Sequence, residues 1–156
     1  MSMLEVRLAH LFTVKIDCDG PMHYMGTVPQ GYGRRMVVPT GGRFEGTRLR
    51  GEVLPGGADS VIERADGGLL LDVRLALKTD RGDLVYMTYV GRRNGPPEIM
   101  QKILRREPIE PGTDYFRVAA QFETGSADLR WLNDIIAVGT GTREPNGPRY
   151  DIYEVL

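Results

Sequence analysis

A chain of 156 residues with 41% hydrophobic composition is one domain by length, large enough to bury about 68–70% of its unfolded surface around a single core. One cysteine, Cys18, excludes an internal disulfide framework and suits a reducing, cytoplasmic setting; the start MSMLEVRLAHLF lacks the basic, long-apolar pattern of a secretory signal, and no apolar run reaches the length of a helical membrane span. Net charge is −1, and the basic residues, 17 of them arginine against three lysines, are scattered among carboxylates rather than gathered in a stripe, which argues against a general nucleic-acid binder.

In chain order, residues 4–16 alternate, with Leu4, Val6, Leu8, His10, Phe12, Val14 and Ile16 opposite Glu5, Arg7, Thr13 and Lys15. This period of two predicts a half-buried strand. It places His10 on an apolar face as a hydrogen-bonded core histidine, although its pKa class also suits acid-base work. Residues 35–39 and 43–54 read as further strands, and Gly41-Gly42, Gly46 and Gly51 mark bulges or bends in them. Residues 60–91 contain two consecutive hairpins, turning at Asp66-Gly67 and at Asp80-Arg81-Gly82, where glycine supplies the positive φ that tight turns need. Between these turns Leu69, Leu71, Val73, Leu75 and Leu77 share one strand face, with Asp72, Arg74 and Lys78 on the other. The partner strand runs over 84–90.

Proline at the first turn and an apolar stripe of Ile99, Met100, Ile103 and Leu104 predict one short helix over 97–104. After Pro111-Gly112, segments 115–123, 132–140 and 149–155 read as three more strands. Nine or ten strands joined by short links, with interior glycines and one peripheral helix, predict an all-β domain over residues 1–156. Its expected form is a closed antiparallel barrel, since closure removes exposed sheet edges; a two-sheet sandwich is the alternative.

No motif names a reaction. The glycine pairs at 41–42 and 56–57 and the Gly139-Thr140-Gly141 run lack the Lys-Ser/Thr of a phosphate loop and the context of a dinucleotide fingerprint. His10, His23 and Cys18 do not make a zinc site of usual spacing, so neither metal nor organic cofactor is expected. No serine sits in a Gly-x-Ser-x-Gly elbow; Ser126 lies in a loop-like Thr-Gly-Ser-Ala stretch.

Nine short segments occur in a recognisable order: Gly41-Gly-Arg-Phe-Glu-Gly46, Gly51-Glu-Val-Leu-Pro-Gly-Gly-Ala-Asp59, Leu71-Asp-Val-Arg74, Thr79-Asp-Arg-Gly82, Gly95-Pro-Pro-Glu98, Tyr115-Phe-Arg117, Phe122-Glu-Thr-Gly125, Trp131-Leu-Asn133 and Val138-Gly-Thr-Gly141. Together they resemble, almost end to end, the family catalogued as domain of unknown function 3237. The resemblance implies a lipocalin-like or streptavidin-like β-barrel and supplies no established reaction. One position departs from the pattern: Ser60 follows Asp59 where the family carries an aromatic residue, usually Trp, so a stacking contact there is lost.

Within such a barrel, polar residues on strands built for packing are the candidates for chemistry. Asp59 follows the Pro55-Gly56-Gly57 bend, which holds its carboxylate at a strand end, either pointing into a cavity or capping the turn. Asp72 and Arg74 face the lumen if the leucines of their strand pack outward, and solvent if they do not. Tyr89, Tyr115, Arg117, Glu123, Trp131 and Asn133 lie on segments expected to cross the barrel and offer an aromatic wall with a few directional polar groups, the composition of a small-molecule pocket; simple core packing is the alternative for each aromatic. Arg34, after the flexible Gly31-Tyr32-Gly33, is placed to hold an anionic ligand or to pair with a carboxylate nearby. These residues suit a cofactor-independent acid-base enzyme of isomerase, hydratase or lyase type acting on a small carbonyl or aromatic compound, with Asp59 or Asp72 as base and Tyr89 or an arginine stabilising oxyanion charge. The alternative is a non-catalytic ligand carrier or assembly module. The apolar stripe of the 97–104 helix needs a cover, which motivates a homodimer or homotetramer.

Overall fold

A computed structural model describes all residues, 1–156. Its strands are β1 (Leu8–Asp17), β2 (Met22–Thr27), β3 (Gly33–Val37), β4 (Gly41–Glu45), β5 (Arg50–Val53), β6 (Ala58–Glu63), β7 (Leu69–Thr79), β8 (Leu84–Asn94), β9 (Tyr115–Glu123), β10 (Ala137–Glu144) and β11 (Gly147–Val155), with helix α1 (Pro97–Leu104) and a 3₁₀ helix (Arg130–Asp134). Eight of the eleven strands close a barrel in the order β7-β5-β4-β1-β11-β10-β9-β8, and the circle is completed by β7 pairing β8 from Leu69↔Arg93 to Lys78↔Leu84. All strand pairings are antiparallel. The barrel is the expected one; the sandwich does not form.

The three remaining strands make a flap, β2-β3-β6, which leaves the barrel at β7. One edge of β7 is divided: its C-terminal end pairs β5 (Gly51↔Thr79 to Val53↔Leu77), and its N-terminal part pairs β6 (Ala58↔Arg74 to Glu63↔Leu69). Between β5 and β6 the chain crosses from barrel to flap at residues 54–57 while keeping to this one edge of β7, Leu54 N–H donating to the Ala76 carbonyl. Gly57 has φ +68°, and a Cβ there would lie 2.1 Å from the Arg74 carbonyl oxygen, so a side chain is excluded both by backbone conformation and by contact.

The strict alternation in β7, β8 and β9 decides what fills the barrel. In β7 the leucine face is buried and the Asp72/Arg74/Lys78 face is turned out; in β8 Val85, Met87, Tyr89, Gly91 and Arg93 are inside; in β9 Phe116, Val118, Ala120 and Phe122 are. Phe12 packs against Phe44 and Phe122 with ring centroids 5.4 and 5.9 Å away. A second cluster centres on Tyr150, whose ring meets Tyr89 and Phe116 edge-on, each at 5.3 Å. Edge-to-face aromatic pairs of this kind add about 0.5–1.5 kcal/mol beyond the area they bury.

Several local expectations are corrected. The first strand begins at Leu8, and its register shifts between His10 and Phe12. That bulge turns the earlier residues the other way: Leu11 and Phe12 are both buried, while Leu8 and His10 are exposed. His10 is therefore a surface residue, with Nε2 3.0 Å from Thr13 Oγ1 and its ring against Tyr153. Strand β2 carries no apolar alternation and was not expected. The 43–54 segment is two strands rather than one, and 132–136 belongs to the 3₁₀ helix and its exit rather than to a strand. Helix α1 has the expected bounds, but Met100 and Ile103 are buried and Ile99 and Leu104 pack on the chain's own core. The stripe is covered within the chain, so the argument for assembly that rested on it is removed. No helix is long and apolar enough to cross a membrane.

Leu77 is 0% exposed in the leucine face of β7, and Leu77→Ala is expected to lower stability by about 2–5 kcal/mol in urea unfolding, whereas Lys78→Ala on the opposite face is expected to change it by no more than about 0.5 kcal/mol. Equal effects of the two would contradict the assigned strand orientation.

Candidate active site in the barrel mouth

The divided edge of β7 leaves one end of the barrel unfilled. Flap and barrel diverge there around a cavity of about 370 Å³. Its walls come from the end of β1 (Ile16, Cys18, Asp19), from the flap (Met22, Arg35, Val37, Asp59, Val61), from β7 and β8 (Leu69, Leu71, Val73, Leu75, Tyr89, Arg93), from Phe116 and Tyr150, from the end of α1 (Ile103, Leu104, Arg106) and from the β10–β11 hairpin (Arg143 to Pro148). The lining is mainly apolar with a few polar groups, the ordinary constitution of a small-molecule site.

Asp59 enters the cavity from the start of β6, directly after the Gly56-Gly57 crossing. Its Oδ1 accepts the Asp72 backbone N–H at 3.2 Å. Burial among apolar neighbours pushes the carboxyl up to about 7, with the Asp72 charge adding to the rise and the backbone N–H opposing it. Asp59 does not cap its own turn: one oxygen ties the strand start to β7, and the carboxyl lines the cavity. Opposite stand Tyr89 and Tyr150, whose hydroxyls are held well above the ordinary phenol range, chiefly by burial. Both stay protonated near neutrality and act as donors. Cys18 is pushed up to about 11 by burial and then by the Asp59 charge, so it is a thiol rather than a nucleophilic thiolate.

Arg93 reaches the cavity because β8 alternates: it lies four residues beyond Tyr89 on the same inward face. It is 6% exposed, its Nε donates to Asp114 Oδ2 at 2.6 Å, and its guanidinium lies 4.4 Å from the Phe116 ring centre. Arg143, half-buried, has its guanidinium pKa lowered by burial first and by Arg93 and Arg106 second. Only two buried side-chain nitrogen or oxygen atoms in the chain lack a hydrogen-bond partner, Arg93 Nη2 and Tyr150 Oη. Both residues line this cavity.

Of the residues anticipated for a site, Asp59 and Tyr89 converge here. The others do not. Asp72 and Arg74 pair with each other on the outer face of β7, Arg74 Nη1 to Asp72 Oδ1 at 2.6 Å, because the leucines occupy the interior. Arg34 points away from the cavity, donating to the Ser60 carbonyl at 3.1 Å and lying over Tyr32; its neighbour Arg35 faces the cavity and is paired with Glu63 at 2.8 Å. Tyr115 and Arg117 stack on the outer face of β9 beside a surface groove. Glu123 is also on that outer face, next to Asn133, which ties the loop by accepting from Thr124 N–H and donating to the carbonyls of Thr124 and Arg130, each at 3.0 Å. Trp131 lies under the Arg48 guanidinium, 3.5 Å from its ring centre, away from the cavity. Arg93, Arg106, Arg143 and Tyr150 were not anticipated. Period-two alternation through Tyr89 to Arg93 carried the signal for one of them, as did Tyr150-Ile152 for another; Arg143, at the end of β10 past the 132–140 segment read as a strand, and Arg106, in the turn after α1, carried none. No cluster of three or more His, Cys, Asp or Glu side chains is placed to hold a metal ion.

The raised Asp59 pKa has a signed consequence for stability. The folded chain holds this proton more tightly than the unfolded chain, so the contribution favours folding below the ordinary carboxylate range and is lost as pH rises through about 7. Asp59→Asn is therefore expected to be more stable than the parent at pH 8 by on the order of 3 kcal/mol relative to their difference at pH 4. A pH-independent difference between the two in urea unfolding would contradict the assignment.

The comparisons with known proteins agree with this fold. A UPF0311 protein of Rhodopseudomonas palustris is 36% identical over 153 residues, covering 98% of this chain and 97% of the relative. The crystal structure of a β-barrel-like protein from Acinetobacter baumannii superposes with a TM-score of 0.87 at 34% identity, covering 99% of each chain. At 20% identity, an enzyme from Penicillium herquei shares the fold with a TM-score of 0.75, over 100% of this chain and 98% of that one. A family model matches residues 6–155, and the chain belongs to that family, described as "Protein of unknown function (DUF3237)".

Proposed function

We propose that the chain is a cofactor-independent enzyme of isomerase, hydratase or lyase type, moving a proton within a small carbonyl-bearing or aromatic molecule held in the barrel mouth. The observation that carries this reading is the coincidence, in one cavity, of a carboxyl with its pKa near 7 and the chain's two buried, unpartnered polar side-chain atoms. A general acid-base group is most effective when its pKa lies near the working pH, and strongly perturbed groups in a cleft mark functional sites more often than structural ones.

In this reading the Asp59 carboxylate removes a proton from the carbon beside a carbonyl. The C–H electron pair moves onto the carbonyl oxygen, which receives the Tyr150 O–H as its charge develops, and protonated Asp59 returns the proton to a neighbouring atom. Tyr89, edge-on to Tyr150, fixes the ring that donates. A buried hydroxyl that makes no hydrogen bond within 3.5 Å, with the Tyr89 hydroxyl its nearby neighbour, is available as a donor, and preorganised donors of this kind are worth about 10²–10³ in rate. That a structural neighbour is an enzyme supports the capacity of this fold to house a catalyst, and nothing about its reaction is carried over.

Incubation in D₂O with a panel of small ketones and carbonyl-bearing acids, followed by proton NMR, tests this directly. Exchange at the carbon beside the carbonyl is expected to exceed the buffer rate, to fall about 10²–10⁴-fold in Asp59→Asn, and to fall by about 10²-fold in Tyr150→Phe. Ligand binding with no exchange in the parent chain would favour the carrier reading, and undiminished exchange in Asp59→Asn would remove Asp59 from the chemistry.

A further inference from the structure

The cavity has two chemically distinct ends. Asp59 lies level with Val73 and Tyr89 in the sheet register, whereas Arg93 lies four residues further along β8, opposite Leu69, with Arg143 and Arg106 near enough for the charges to act on one another; Cys18 and Tyr150 sit between, each feeling Asp59 and an arginine. From this arrangement we infer that the arginine end binds the carboxylate of the ligand, making the pocket a receptor for small monocarboxylic acids. The inference deepens the proton-transfer reading of the same cavity by naming its substrate class, but the binding it describes does not require that chemistry.

Three observations support it. First, the positive charge is unmatched. Arg35 is paired with Glu63 and Arg93 with Asp114, whereas Arg106 and Arg143 make no ion pair. A half-buried guanidinium without an acid is unfavourable in a chain that has 21 acidic residues to offer. The lining holds two acids, Asp59 and Asp19, neither in an ion pair, and Asp19 accepts the Thr40 hydroxyl. Second, the Arg93–Asp114 bond uses Nε and leaves Nη2 buried with no partner. A guanidinium locked by one acid and by the Phe116 ring presents its remaining N–H groups in a fixed plane, the geometry that recognises a planar two-oxygen group. Third, Arg106 is the chain's one non-glycine residue with positive φ, at 57°. It stands just past the Arg105 C-cap of α1, where Glu107 N–H donates to the Lys102 carbonyl and Arg106 N–H to the Ile103 carbonyl, the left-handed helix ending that brings Arg106 onto the cavity lining.

The occupant is a carboxylate rather than a phosphate dianion. The Arg93 guanidinium, held through Nε by Asp114 and against the Phe116 ring, presents its remaining donors in one fixed plane, which suits a flat two-oxygen group rather than a tetrahedral one. With the carboxylate at Arg93 and Arg143, the organic part of the ligand lies along the apolar wall of Leu71 and Val73 towards Asp59.

Benzoate, its neutral isostere benzamide and inorganic phosphate serve as probes, with binding followed by calorimetry and by amide chemical shifts. Benzoate is expected to bind at least ten-fold more tightly than benzamide or phosphate. Arg143→Gln is expected to weaken benzoate about ten-fold while leaving benzamide unchanged. Because a neutral residue at position 93 would strand Asp114, Arg93→Lys is the second variant; it retains the ion pair, removes the free Nη2 and is expected to weaken benzoate similarly. Benzamide binding as tightly as benzoate, phosphate binding in preference to both, no benzoate binding, or benzoate affinity indifferent to Arg143 would each overturn the inference. Asp59→Asn separates it from the chemistry: that variant is expected to bind benzoate at least as tightly as the parent. Full exchange in Asp59→Asn with benzoate still lost in Arg143→Gln would refute the proton transfer and keep the carboxylate site; the reverse pair of results would keep the proton transfer and refute the carboxylate site.

Discussion

Strand β7 has one edge along which β8 runs without interruption and another that β5 and β6 must share. The first closes the barrel, and the second opens it. Because two strands cannot occupy the same hydrogen-bonding positions, the chain crosses between them at 54–57, and whatever follows the crossing is delivered to the point where flap and barrel separate. Gly57 permits that passage, since a Cβ there would collide with the Arg74 carbonyl. Asp59 is the first acid beyond it. The position of the central carboxyl is thus a product of sheet topology rather than of a flexible loop, and the Asp72 N–H that binds Asp59 Oδ1 belongs to the same shared strand.

The two ends of the barrel are treated differently. At the closed end Phe12 interlocks with Phe44 and Phe122, and well-packed apolar interiors of this kind leave no room for a ligand. At the open end two tyrosines join Phe116, an arginine enters the core, and polar atoms are left without partners. Buried polar groups are almost always satisfied in folded proteins, so two exceptions on one cavity wall mark a place where the interior was not built for stability alone. The raised Asp59 pKa follows chiefly from burial in the same cavity.

Fold was more legible than site. The Asp66-Gly67 and Asp80-Arg81-Gly82 turns and the leucine alternation of β7 are local signals, and local signals predict hairpins well. The bulge at Leu11 has no such signature, which is why His10 emerged on the surface; β2, polar and at the edge of the flap, offers no period to detect. Asp59 and Tyr89 were legible because one follows a glycine bend and the other sits in a packing face. Asp72 and Arg74 share a strand face just as clearly, but periodicity gives two faces without saying which is the lumen. Tyr115, Arg117 and Glu123 were misplaced for the same reason, one residue out of phase with Phe116 and Phe122. Arg106 reaches the cavity from the turn after α1, where sequence spacing carries no information about direction, and Arg143 from the end of β10, beyond the segment read as a strand.

The proton transfer proposed for this pocket requires a desolvated Asp59 that carries the proton. Its most direct test is a carbon-13 NMR titration of the aspartate carboxyls, with Asp59 assigned by its loss in the Asp59→Asn variant. A midpoint near pH 7 for that resonance is the predicted result. A midpoint near the ordinary aspartate value of about 4 would show a solvated carboxylate, and the account of the barrel mouth as a site of proton transfer would be wrong.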